Sequence, residues 1–151
     1  MSSIPTATYV VESAVIDAPL SAVWHLIKPE SFADWLSTLE TSSVAKGTTP
    51  DTDVYHWTYK DGSKVTVKME EHSSLRHSIT LSLISSEPEL TYSSVLSTLR
   101  LWPVTTGSNE GQTFIQWSGQ FSSDADASVI EDARFKRKEA LADLAKAVSK
   151  A

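Results

Sequence analysis

The sequence contains no cysteine among its 151 residues. Disulfide bonds, thiolate metal sites and cysteine nucleophiles are therefore excluded. Glycine occurs only five times, and neither a Gly-rich phosphate loop nor a G-x-S-x-G nucleophile elbow is present. The four histidines have neither HExxH nor two-His-carboxylate spacing, so we expect no metal site and no cofactor.

Basic residues are also scarce. Lys and Arg number 13 against 19 Asp and Glu, which gives a formal net charge of −6, and like charges do not form blocks. A chain with this charge has no electrostatic attraction for phosphate backbones or anionic membranes. We therefore expect no nucleic-acid partner.

Long apolar runs are missing as well. No segment approaches the length needed to span a bilayer, and the first residues, MSSIPTATYVVE, have neither a basic n-region nor an apolar h-region. No internal repeat is visible either. These features predict a single domain over residues 1–151 that is soluble, cytoplasmic and not inserted in a membrane.

The N-terminal part of the chain combines a strand with two short helices. The β-branched run Tyr9–Ile16 predicts a strand. In the stretch DAPLSAVWHLI that follows, Asp17 is expected to cap a helix that has Pro19 in its first turn and ends at Lys28, before a proline. A second short helix is predicted over Glu30–Leu36.

The middle of the chain changes to strand periodicity. Turn clusters such as TTPDTD, KDGS, SSEPE and TTGSNEG separate runs of strand composition, which predicts a long antiparallel meander. The six predicted strands lie near Thr41–Val44, Asp53–Tyr59, Lys64–Glu71, His77–Ile84, Tyr92–Trp102 and Thr113–Phe121.

The C-terminal segment is helical. Ser128 and Glu131 have the spacing of a capping box, and about 22 helical residues would reach roughly 33 Å. The apolar stripe of this helix carries Ile130, Ala133, Arg137, Leu141, Leu144 and Val148. We expect an α+β fold in which a curved seven-stranded antiparallel sheet surrounds this helix, with the two short helices between strands 1 and 2.

The order of these elements and motifs resembles the START-like superfamily, which includes the Bet v 1 allergens and the polyketide cyclase/dehydrase proteins. The motifs are APLSAVW, the Asp-Gly hairpin, STLRLWPV and the W-x-G-x-F pattern within TFIQWSGQF. The resemblance covers nearly the whole chain and implies a helix-grip fold with a deep hydrophobic cavity between the sheet and the long helix.

The inward faces of the strands and the last helix supply the candidate binding residues. Alternation along the strands places apolar side chains on one face, as small-molecule cavities require, although the same residues could simply fill a core. The candidate ligand-binding residues are Glu12, His56, Val67, Met69, Leu81, Val95, Leu99, Ile115, Trp117, Ala133, Arg137 and Leu141.

Three of these candidates are polar. Arg137 lies on the apolar stripe beside small residues, so it either contacts a ligand or extends to the rim and pairs with an acid. Glu12 shares a strand face with apolar residues and is either the partner of Arg137 or a residue near a frayed strand end.

The inward position of His56 depends on the hairpin that contains Asp61 and Gly62. A two-residue turn would place His56 opposite Val67 on the inner face. A type I turn with a glycine bulge would shift the pairing by one residue and turn Tyr55 and Trp57 inward instead. The sequence is compatible with both registers.

The resemblance also bears on catalysis. In active members of the cyclase-like branch, an Arg and a Glu on neighbouring strands form a polar pair in the cavity. His56 aligns with that Arg and Val67 with that Glu, so the acid is missing here. The preferred hypothesis is therefore a protein, monomeric or weakly dimeric, that binds a small hydrophobic molecule such as a lipid, a sterol or an aromatic polyketide.

Two alternatives stay open. The first is a metal-free polyketide cyclase, dehydratase or lyase-like enzyme that uses His56 as a base and Arg137 to stabilise an enolate or carboxylate. The second is a protein-interaction module that presents the aromatic residues of YHWTY on the outer face of the sheet.

Overall fold

The computed structural model describes residues 8–45 and 53–149. Seven antiparallel strands form one curved sheet in the order β1-β7-β6-β5-β4-β3-β2. The strands are β1 (Tyr9–Ile16), β2 (Leu39–Ala45), β3 (Val54–Tyr59), β4 (Lys64–Ser73), β5 (Ser78–Glu87), β6 (Val95–Pro103) and β7 (Thr113–Phe121). The helices are α1 (Leu20–Leu26), a 3₁₀ helix (Pro29–Asp34) and α2 (Ala127–Ser149). The helix-grip α+β architecture predicted from the sequence is confirmed.

The strands bury one face because their apolar residues recur with period two. In β1, Val10 and Ile16 are buried, whereas Val11 and Val15 between them are exposed. The inner faces of β5, β6 and β7 follow the same rule, and α2 and the two short helices cover them. No helix within residues 8–45 and 53–149 is both long and apolar enough to cross a membrane.

The β3–β4 hairpin adopts the glycine-bulge register. Gly62 has φ +91° and donates its N–H to the carbonyl of Tyr59, a conformation that glycine adopts without strain. Tyr55 therefore pairs with Val67, and His56 pairs with Thr66. As a result Tyr55 and Trp57 are buried, and His56 is exposed on the outer face. The alternative that placed His56 on the inner face is wrong.

The first helical segment is shorter than the sequence predicts. Pro19, not Asp17, occupies the N-cap position of α1, and Asp17 instead accepts a hydrogen bond from the side chain of Gln112 at 3.1 Å. The helix ends at Leu26. Lys28 is extended because a proline disfavours helical geometry at the residue before it. The segment after it forms a 3₁₀ helix.

The long helix begins as predicted but is capped by a different residue. Asp126 accepts the backbone N–H of Val129 at 3.0 Å and the hydroxyl of Ser128 at 2.8 Å. These hydrogen bonds, the one from Val129 first, lower the pKa of Asp126. Asp126, one residue before the helix, thus caps its first turn in place of the predicted Ser128, whose hydroxyl donates to Asp126.

The interior divides into two apolar clusters. The larger cluster includes the aromatic side chains of Phe32, Trp35 and Trp57, with Trp117 packed against it. The smaller cluster lies at the N-terminal end of α2 and contains Val10, Phe121, Ala125, Ile130 and Ala133.

Phe32 is the centre of the larger cluster. Its ring stacks on Trp57 at 4.9 Å between centroids, contacts Trp35 at 4.8 Å and meets Trp117 edge-on at 5.9 Å. The indole N–H of Trp57 donates to the carbonyl of Pro29, which fixes the 3₁₀ helix on the sheet. The interior at this end is therefore filled by the chain's own aromatic side chains.

We predict that Phe32→Ala destabilises the protein by about 3–5 kcal/mol, because it removes a fully buried ring and leaves a cavity between three tryptophans. Urea unfolding measures the change. Phe135→Ala is the matched control, since Phe135 is 61% exposed on α2 and its loss should change stability by less than about 0.5 kcal/mol. Equal effects of the two substitutions would contradict the role given to Phe32.

A polar cluster ties the β5–β6 connection to the segment before α2. The carboxylate of Asp124 accepts hydrogen bonds from the backbone and hydroxyl of Ser93 at 3.1 and 2.6 Å, and from the hydroxyl of Ser122. The hydrogen bonds from Ser122 and then Ser93 lower the pKa of Asp124 from 3.8 to about 2.

This shift predicts a pH dependence of folding. Between about pH 4 and 2 the unfolded state binds more protons at Asp124 than the folded state, so its stabilising contribution is complete above pH 4 and is lost as the pH falls through 2. Asp124→Asn should therefore flatten the fall in urea midpoint over this range, whereas the exposed control Asp34→Asn should follow the wild type. Parallel curves for all three proteins would contradict the assignment.

Candidate functional site

Arg137 lies in the interior, on the face of α2 that points toward the sheet. The periodicity of the helix places it in line with Ala133, Ala140 and Leu141, all of which are buried. Only 9% of Arg137 is exposed. The structure thus places a guanidinium where the surrounding pattern predicts an apolar side chain.

The guanidinium is held by few hydrogen bonds. Nη2 donates to the hydroxyl of Ser97 on β6 at 2.9 Å, and Nη1 donates to the carbonyl of Ala133 one turn earlier at 3.3 Å. The rings of Trp117 and Phe121 lie on β7 with their centroids 5.6 and 5.7 Å from the guanidinium carbon, within the range of cation–π attraction.

Gly119, between those two aromatic residues on β7, makes room for the cation. A Cβ atom at this position would lie 2.5 Å from Nη2 of Arg137. Since the three residues alternate along one strand face, the absent side chain opens a gap between two rings, and the guanidinium occupies it. The W-x-G-x-F pattern therefore provides the space that the guanidinium of Arg137 occupies.

The described residues provide no carboxylate within 4.0 Å of this guanidinium. Glu12, which the sequence offered as a partner, instead lies 3.9 Å from Lys138 on the next position of α2. Burial lowers the pKa of Arg137 to about 10, an effect that the nearby Tyr92 and Tyr59 partly oppose. The side chain is thus a desolvated cation at neutral pH, and burying such a group costs on the order of several kcal/mol.

Two buried N–H groups at this place have no acceptor. Nε of Arg137 and the indole Nε1 of Trp117 are both inaccessible to solvent and make no hydrogen bond with the described residues. Buried donors are nearly always satisfied in folded proteins. Both donors belong to the cluster around Arg137, and one of them is on a charged group.

Tyr59 and Tyr92 complete the surroundings of Arg137. Burial raises the pKa of both phenols, which the charge of Arg137 partly offsets, so both are neutral near pH 7. The sequence predicted neither as a site residue. Tyr59 follows from the hairpin register once that is known, but Tyr92 lies in the irregular connection before β6, where no periodicity indicates its direction.

Most of the predicted binding residues lie on the inner side of the sheet or on the buried stripe of α2. Glu12, Val95 and Trp117 are partly buried there, and the fully buried ones are Val67, Met69, Leu81, Leu99, Ile115, Ala133, Arg137 and Leu141. The structure brings Trp117, Ala133 and Arg137 into one cluster. His56 is the exception: it lies on the outer face, where Nδ1 is 3.3 Å from the hydroxyl of Thr66.

This placement separates the two residues of the predicted catalytic pair. Arg137 is inside and His56 is outside the sheet, so they cannot act on one substrate. Within the described part of the chain, no three His, Asp or Glu side chains are grouped as metal ligands.

Among the described residues, the outer face carries depressions of about 350 and 220 Å³. The larger is lined by residues of β1, β6 and β7, including Arg100, Trp102 and Gln116, and the smaller lies beside His56 and Thr66. Neither is lined by Arg137. The aromatic residues Tyr55 and Trp57 are buried, so the outer patch expected from YHWTY is not formed.

Solved structures share this fold. An uncharacterised protein from Bacillus thuringiensis has a TM-score of 0.78 at 22% identity, with 92% of this chain and 97% of that chain covered. The protein XoxI from Bacillus cereus has a TM-score of 0.78 at 23% identity, with coverage of 94% and 95%. A protein from Nitrosospira multiformis has a TM-score of 0.73 at 22% identity, with coverage of 91% and 94%.

No curated protein matches the sequence significantly. A family model does match, over residues 7–150, and its description is polyketide cyclase/dehydrase and lipid transport. That range contains every strand of the sheet, both short helices and the whole of α2. The chain therefore belongs to the polyketide cyclase/dehydrase and lipid transport family.

Proposed function

We propose that this protein binds a small hydrophobic molecule between the inner face of the sheet and α2, at the boundary between the two apolar clusters. The observation that carries the proposal is the pair of unsatisfied buried donors, Arg137 Nε and Trp117 Nε1. Apolar side chains on both sides of these donors supply the surface that a hydrophobic molecule would cover. The description of the family, which joins cyclases with lipid transport, is consistent with this reading.

The energetics of such binding depend mainly on apolar area. Burial of roughly 300 Å² of ligand surface at ~25 cal/mol per Å² contributes about 7 kcal/mol before the entropic cost of association, so polar contacts must add to it for tight binding. The aromatic filling around Phe32 means that a ligand enters only if side chains move apart. The boundary at Arg137, where a charged side chain interrupts the apolar packing, is the proposed point of entry.

The residues inside favour binding over catalysis. An enzyme of the cyclase type needs a general base beside its substrate, and the candidate base His56 is on the wrong face of the sheet. The titratable neighbours of Arg137 are Tyr59 and Tyr92, whose raised pKa values make them poor bases near neutral pH. Val67 stands where active relatives are expected to have an acid.

The first test is a thermal-shift screen of the purified protein against fatty acids, sterols, flavonoids and aromatic polyketides. We expect one chemical class to raise the melting temperature in a concentration-dependent way, since a ligand that binds only the folded state stabilises it by about 2.7 kcal/mol at a hundred times its Kd. His56→Ala should keep the shift, because His56 lies outside the sheet. The absence of any shift across all four classes would contradict the proposal.

The second test concerns stability without ligand. We predict that Arg137→Met stabilises the protein by about 1 kcal/mol or more, because it replaces an uncompensated buried cation with an apolar side chain of similar length. Urea unfolding measures the change, with Lys136→Met at an exposed position of α2 as the control. A loss of more than about 2 kcal/mol in Arg137→Met would show that the guanidinium serves the fold and not a ligand.

A further inference from the structure

We infer that the molecule bound at this site is a hydrophobic monocarboxylic acid, whose carboxylate accepts hydrogen bonds from Arg137 Nε and Trp117 Nε1. This inference rests on the proposed binding function and adds the chemical class of the ligand. Its basis is the charge, the donor set and the shape of the space around the guanidinium.

The charge of the site requires an anion. The groups that face Arg137 are the phenols of Tyr59 and Tyr92, the hydroxyl of Ser97 and two aromatic rings, none of which is charged near pH 7. The acid on the inner face of β1, Glu12, forms an ion pair with Lys138. Arg137 therefore has no ion-pair partner among the described residues, and a monoanion would neutralise its charge whereas a neutral ligand would not.

The donors match a carboxylate. A guanidinium has five N–H groups, and the structure assigns two hydrogen bonds to them, both at the terminal nitrogens. Three guanidinium N–H groups remain, among them that of the buried Nε, and the indole N–H of Trp117 is also unpaired. An ionised carboxylate has two oxygens that accept only. The hydroxyl of Ser97, which accepts from Nη2, has its own proton available for the same anion.

The space around these donors excludes larger anions. A Cβ at Gly119 would already collide with the guanidinium, and the rings of Trp117 and Phe121 flank it within 6 Å. A dianionic phosphate would need further cations, whereas Arg137 is the only described cation with a hydrogen bond to Ser97 or a ring contact with Trp117 or Phe121. The ligand's remaining surface faces apolar side chains, so its body is hydrophobic.

The experiment compares matched pairs of compounds that differ only in charge. The probes are naphthalene-2-carboxylate with its primary amide and decanoate with decanamide, titrated at pH 7.5 and followed by tryptophan fluorescence and calorimetry. We expect the wild type to bind at least one acid about tenfold or more tightly than its amide, because charge-assisted hydrogen bonds are about twice as strong as neutral ones.

Three variants test whether the preference for the acid over its amide arises at Arg137 and Trp117. Arg137→Gln should abolish the preference for the acid, while Lys136→Gln, which removes the same charge from an exposed position of α2, should leave it unchanged. Trp117→Phe keeps an aromatic ring but deletes the indole N–H, and it should weaken binding of the acid by about three- to tenfold. Should Arg137→Gln not fold, Trp117→Phe and the wild-type pairs still decide the question.

The outcomes separate this inference from the proposed function. If none of these four probes binds but a compound of the thermal-shift screen does, the proposed function stands and the carboxylate inference is wrong; if nothing binds in either experiment, the proposed function itself is contradicted. If the wild type binds amides as tightly as acids, binding stands and the carboxylate inference is wrong. A preference for acids that survives Arg137→Gln would place the carboxylate elsewhere in the molecule and would also overturn the inference.

Discussion

The stack of Phe32 on Trp57 is the contact on which the rest of the interior depends. It joins the 3₁₀ helix to β3, and through Trp117 it reaches β7 near the opposite edge of the sheet. The stack exists only because the Gly62 bulge turns Trp57 inward. The conformation of Gly62 therefore determines which side chains fill one end of the curved sheet. The other end is covered by α2.

At the end of the interior covered by α2, the charged side chain of Arg137 interrupts the apolar packing. The gap at Gly119 and the small residues Ala133 and Ala140 on α2 leave space that neither Trp117 nor Phe121 fills. Arg137 occupies it without a carboxylate partner, and the two apolar clusters meet there without merging. A close-packed core would place a leucine or methionine at this position, so the arrangement departs from what stability alone favours.

The fold was predictable because its signals are local and periodic. The bounds of β1 and β7 agree with those predicted, and the other strands differ by a few residues at their ends. Alternation identified the inner faces, and the 3.6-residue period placed Arg137 on the apolar stripe of α2. These patterns hold because one face of every element must be covered by another.

Features that depend on three-dimensional competition were not predictable. Asp17 and Ser128 are reasonable capping residues by spacing, but Gln112 binds the first and Asp126 replaces the second. The position of His56 depends on the type of the β3–β4 turn, and the sequence is equally compatible with two turn geometries. The neighbourhood of Arg137 also joins residues from β3, β6, β7, α2 and the β5–β6 connection, and no sequence spacing records that convergence.

The groups around Arg137 bear on whether the proposed site binds a ligand or catalyses a reaction. Catalysis near Arg137 would require a group that exchanges a proton near neutral pH, and the phenols of Tyr59 and Tyr92 are held neutral by burial. Binding requires only that the unsatisfied donors receive an acceptor that relieves the desolvation of Arg137. In the proposed complex an anion would provide that relief, so the energetic penalty of burying Arg137 would favour binding. The proposed site would therefore select its ligand by charge and tolerate variety in the apolar body.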